Sequence, residues 1–177
     1  MNKTVDINER TLEKEKKNFI SFCKGAEIFL SIMCAFAIIA PIIVVAITIM
    51  SFVTTKAVLT DPETVFIGIY IIVTCIGLAI ALNFGIKVFR MLKDGETPFR
   101  YEISDKIKAA GMTFFGTGIV HIIGVAVNTF FKATAVFKGE ISVNIVLDFF
   151  IWGAVLIAIA YIFNYGCKLQ QESDETI

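Results

Sequence analysis

Thr113, Thr117, His121, Gly124 and Asn128 follow one another at spacings of four, four, three and four within an apolar stretch. Helical periodicity puts all five on one face. His121 is the only histidine in the chain. Two kinds of chemistry suit such a face. It lines a cavity, with His121 as a proton-sensitive site on a small-molecule pathway, or it bonds one helix to another. Interhelical hydrogen bonds in membranes contribute ~0.6 kcal/mol each. A lone imidazole with no carboxylate at its depth is more often structural, so helix-to-helix bonding is the favoured reading. Asp148 lies about one turn inside the next apolar run. By depth Asn128 is its natural partner, and reaching out to the membrane surface is its alternative.

Little else in the chain has the makings of a reactive centre. Cys23, Cys34, Cys75 and Cys167 form no C-x-x-C pair, so neither a disulfide framework nor a zinc site is expected. There is no Walker loop, dinucleotide fingerprint or H-E-x-x-H pair. No cofactor, no metal and no enzymatic activity are expected. The formal net charge is zero, which gives no reason to expect direct nucleic-acid binding.

The elements that must hold these residues are membrane helices. Hydrophobic residues make up 56% of the 177, and the mean hydropathy is +0.78, above the level of a soluble domain. Four runs reach the roughly 20 apolar residues needed to cross a ~30 Å hydrocarbon core: about 28–53, 65–85, 109–131 and 145–165. They are continuous rather than alternating, and lipid offers no partner to a free amide, so they are helical. The first is read as a retained span, being longer than the apolar part of a secretory signal and preceded by a mixed-charge arm. Pro41 near its middle should bend it and leave the Ala37 carbonyl unpaired.

All but three of the 16 Lys and Arg residues fall in the N-terminal arm, the middle connection or the tail. Only Lys56, Lys132 and Lys138 lie in the other two connections. Basic residues are retained on the cytoplasmic side, which predicts both termini and the middle connection inside. The expected fold is therefore all-α: a polytopic membrane protein of four transmembrane helices, arranged as two tandem hairpins, N-in and C-in. Residues 1–27 form a cytoplasmic amphipathic arm, 28–166 the transmembrane domain, and 167–177 a cytoplasmic acidic tail. Tyr161 and Tyr165 suit an interfacial aromatic belt.

The halves look like tandem copies. Asn83-Phe84-Gly85-Ile86-Lys87-Val88 closes the second span, and Asn164-Tyr165-Gly166-Cys167-Lys168-Leu169 closes the fourth. Gly77, Ala81 and Gly85 form one small-residue packing series, Ala154 and Ala158 a shorter one; whether they pack within one chain or in a homo-oligomer is open. The second helix should continue to Lys93 and stop at Asp94-Gly95. Pro98 interrupts it, and a new helix should start around Glu102 or Ser104. In the arm, Asp6 and Glu9 suggest a capping box. Leu12, Phe19, Ile20 and Cys23 then share a face suited to the inner leaflet, to a partner, or to a solvated extension.

Two of these segments carry a resemblance. Met91-Leu92-Lys93-Asp94-Gly95-Glu96-Thr97-Pro98-Phe99 resembles the middle signature of the YoaS-like membrane proteins of bacteria. The stretch 160–177, with Gly166, Leu169-Gln170-Gln171-Glu172 and Asp174-Glu175-Thr176-Ile177, resembles their C-terminal signature. Arg100-Tyr101-Glu102 departs from the family, which often has a hydroxyl residue and an Asn after the Phe. The family is defined by a domain of unknown function, so the resemblance implies the four-span plan but no activity. It also implies a frequent genetic companion, a very small Cro/CI-type helix-turn-helix regulator. The expectation that follows is a protein of the bacterial cytoplasmic membrane that binds and modulates such a regulator. Candidate docking residues are Asp94, Gly95, Pro98 and Phe99 in the middle connection, and Gln170, Glu172, Asp174 and Glu175 in the tail. The alternatives are a small transport or immunity component working through the polar face of the third span, and a structural subunit of a membrane complex.

Overall fold

A computed structural model describes residues 2–55, 62–94, 99–133 and 143–175. They form four helices: α1 (Asn2–Thr55), α2 (Pro62–Lys93), α3 (Tyr101–Ala133) and α4 (Val143–Glu175). Each contains a stretch long and apolar enough to cross a membrane. The all-helical, four-span plan read from the sequence is the observed one. Aliphatic and aromatic side chains stand exposed along every helix, as expected where lipid, not protein, covers the surface.

The helices stand in a row. Cα atoms approach within 8 Å between α1 and α2, α2 and α3, and α3 and α4, and between no other pair among the described residues. Successive helices are antiparallel, so the start of α1, the α2–α3 corner and the end of α4 lie at one end of the molecule. The side of α1 turned to α2 carries Cys23, Glu27, Leu30, Cys34, Ala37, Pro41, Val44 and Thr48, all buried or half-buried. Their alternating spacing of four and three is the seven-residue repeat of left-handed helix packing.

The two hairpins share internal contacts. The Cys34 thiol donates to the Ala79 carbonyl at 3.7 Å, and the Ser104 hydroxyl donates to the Ala160 carbonyl at 2.8 Å. Each acceptor alanine lies four residues before the asparagine of its closing signature, Asn83 or Asn164. The glycines of the signatures also correspond. A Cβ on Gly85 would lie 3.2 Å from the Leu30 side chain, and one on Gly166 would collide with the Phe99 ring.

Some expectations need correction. Helix α1 is one helix of 54 residues with Pro41 inside it, about 80 Å long, so the arm and the first span are continuous. It starts at Asn2, upstream of Asp6, so the supposed capping box is not its N-terminus. Helix α3 starts at Tyr101, slightly ahead of the expected point, and its first bonds run from the Ile103 and Ser104 amides to the Arg100 carbonyl. Within the chain Ala154 and Ala158 are exposed, which leaves packing against a second copy open, and Gly153 meets α3, with the Phe115 ring and the Gly111 carbonyl against it.

Candidate functional site

The polar face of α3 is pressed against α2. Thr117 sits over Gly77, where a Cβ would strike its hydroxyl, and the Tyr70 ring lies against Gly124, 2.5 Å from where a Cβ would be. Between these two glycine contacts His121 is 2% exposed. The Tyr70 hydroxyl pairs with His121 Nδ1, and His121 Nε2 lies 3.4 Å from Thr74 Oγ1. The Thr74 hydroxyl already donates to the Tyr70 carbonyl at 2.9 Å. Its oxygen therefore accepts from Nε2–H, and Nδ1 accepts from Tyr70 O–H. Phe149 of α4 stacks on the imidazole at 4.7 Å between centroids, and Tyr70 meets it edge-on at 4.9 Å.

This arrangement links three helices through one ring. Both imidazole nitrogens are engaged, so neither has a lone pair free for a metal or substrate. Thr113 and Thr117 donate to the Ala109 and Thr113 carbonyls of their own helix, each at 2.9 Å. Asn128 is buried, while Asp148 is exposed near the start of α4. On the α3 face His121 bonds across to α2, while Thr113 and Thr117 bond within α3.

Tyr70 and Thr74 escaped the sequence reading, which took the second span as a packing face only. Stepping back from Gly77 by three and then four residues reaches Thr74 and Tyr70, so the helical period marks the polar patch. The Gly77, Ala81, Gly85 series divides between two neighbours: Gly77 meets α3 and Gly85 meets α1, and Ala81 is buried.

The second candidate region is the end of the molecule that holds the α2–α3 corner and the end of α4. Val88, Ile103, Ile107 and Ala160 form a buried cluster there, with Met91, Leu92, Leu156, Ile159 and Phe163 packed around it. Ile103 is fully buried. The α2–α3 corner is anchored by Phe99, whose ring lies 5.9 Å from that of Phe163 and against Gly166. The two segments carrying the resemblance therefore touch. Phe99, proposed for docking, is largely an anchor, although it remains 44% exposed. Asp94 is exposed at the turn, its amide bonded to the Arg90 carbonyl at 3.2 Å. Gly95 and Pro98 lie outside the described residues. The tail continues as helix to Glu175: Gln170 is half-buried, Glu172 and Glu175 are exposed, and the Asp174 side chain lies outside the described residues.

At the same end, Glu27 joins α1 to α2. It bonds Lys93 Nζ at 2.8 Å and Arg90 Nε at 3.1 Å. The Lys93 and Arg90 hydrogen bonds hold its carboxyl below the usual carboxylate range. Among the described residues no cluster of His, Cys, Asp and Glu is arranged to hold a metal ion. Comparison of the chain with protein-family models, with curated proteins and with solved structures gave no match.

Proposed function

We propose that the protein is a membrane-anchored docking platform that binds and modulates a small helix-turn-helix transcription regulator at the cytoplasmic face of a bacterial membrane. In this reading both termini and the α2–α3 corner are cytoplasmic, as the distribution of Lys and Arg favours. The observation that supports it best is the position of the buried cluster. Val88, Ile103, Ile107 and Ala160 join α2, α3 and α4 at the end that holds the α2–α3 corner and the acidic end of α4, so the two candidate docking segments are held side by side. The resemblance to the YoaS-like proteins and their regulator companion supplies the kind of partner.

The mechanism is electrostatic capture. The exposed carboxylates of Glu172 and Glu175 at the end of α4 compete for the regulator's basic DNA-binding surface. The long α1 arm supplies a second wall. Bound at the membrane, the regulator is kept from its operators. The rival reading, transport or immunity through the α3 face, has less support, since the groups it needs are bonded to one another.

Co-purification from mild detergent with the co-produced regulator tests the proposal. The intact protein should retain it, deletion after Leu169 should release it, and His121→Leu should leave it bound. Failure to recover the regulator with the intact, correctly inserted protein would overturn the reading.

A further inference from the structure

We infer that the groove between α1 and α2 is a binding site for an anionic phospholipid, with an acyl chain along its floor and the headgroup at Lys87. The groove is a cleft of about 390 Å³. Its walls are apolar: Ala37 and Pro41 from α1, Cys75, Ala79 and Ile80 from α2. Polarity appears at one end only, where Asn83 and Lys87 close it.

Length and charge both fit one lipid. From Cys75 to Lys87 α2 rises about 18 Å, close to the ~15 Å of hydrocarbon in one leaflet. An acyl chain lying from Pro41 outward thus brings its phosphate to the level of the Lys87 ammonium. That ammonium stands 5.8 Å from the centre of the Phe84 ring, which holds it over the groove rather than away from it. Lys87 is exposed and makes no ion pair among the described residues, whereas Arg90 and Lys93 nearby are engaged by Glu27. An unneutralised cation and an amide at headgroup depth select a phosphate with net negative charge over a zwitterion.

The second hairpin has the same signature but a closer helix contact. Gly111 and Gly153 bring α3 and α4 together until the backbone of each meets the other's missing Cβ position at 3.0–3.2 Å, and the Phe115 and Phe150 rings pack at 5.4 Å. Near Lys168, the counterpart of Lys87, the α2–α3 corner covers α4, with the Phe99 ring against Phe163 and Gly166. The contrast supplies an internal control.

The test is lipid retention measured by native mass spectrometry after reconstitution in nanodiscs of equal phosphatidylglycerol and phosphatidylcholine. The protein should keep one phosphatidylglycerol per chain, favoured roughly fivefold, the effect of one lysine at a membrane surface. Lys87→Gln should bring the ratio to about one, Lys168→Gln should leave it unchanged, and Ala79→Leu should lower retention of both lipids. Lys87 is exposed, so its replacement leaves the packing intact. Equal retention of the two lipids by the unaltered protein, or a preference that survives Lys87→Gln, would overturn the inference.

Discussion

At the scale of single residues, the chain satisfies its intramembrane polar groups locally. His121 has Tyr70 and Thr74 as partners, and the threonines of α3 bond to their own backbone. Such bonds are modest, because a helix alone in lipid finds substitutes. A double-mutant cycle of Tyr70→Phe and His121→Leu, read by detergent unfolding, should give a coupling of about 0.6–1.7 kcal/mol; additive effects would deny the bond. The glycine contacts are steric and give a sharper prediction. Gly166→Ala pushes a methyl into the Phe99 ring and should cost about 1–3 kcal/mol, the usual penalty of overpacking. Adding Phe99→Ala should remove most of that penalty. The polar face of α3 was legible because its spacing repeats the helical period among aliphatic neighbours. Its partners on α2 were not, since a Tyr and a Thr separated by aliphatic residues look like ordinary span composition until a second helix is laid beside them.

At the scale of elements, the hairpins were legible and their boundaries less so. Lipid forces every long apolar run into a helix, and Asp94 marks the end of α2 by breaking it. What composition does not reveal is how far a helix runs past the membrane. Lys and Glu are good helix formers, so the charged arm continues α1 without a break, where a change of composition suggested a change of element. The α1–α2 hairpin is tied by Glu27 at the end that holds the α2–α3 corner. A carboxyl held below its ordinary range stays charged as acid is added, and the tie is lost only as the pH falls through that lowered value. Distance measurements between spin labels on α1 and α2 should therefore show this end loosening under strong acid and in high salt. Glu27→Gln should be loose throughout and insensitive to both. A hairpin end whose spacing is the same in both proteins, at every pH and salt concentration, would show the tie to be idle.

At the scale of the whole molecule, the row of helices distributes its packing unevenly. Among the described residues α1 touches α2 alone and α4 touches α3 alone, while side chains of α2, α3 and α4 share the cluster around Ile103. The function proposed for that covered end, and the lipid site at the mouth of the first hairpin, both require it to face the cytoplasm. The lysine and arginine distribution predicts this orientation, and the antiparallel helices predict that both termini share it. Reporter fusions in intact cells test it most directly. A reporter after Ile177 and one inserted near Gly95 should be active only in their cytoplasmic form, and one inserted near Val58 only when exported. Export of the fusion after Ile177, or access to the Gly95 insertion from outside, would contradict the account.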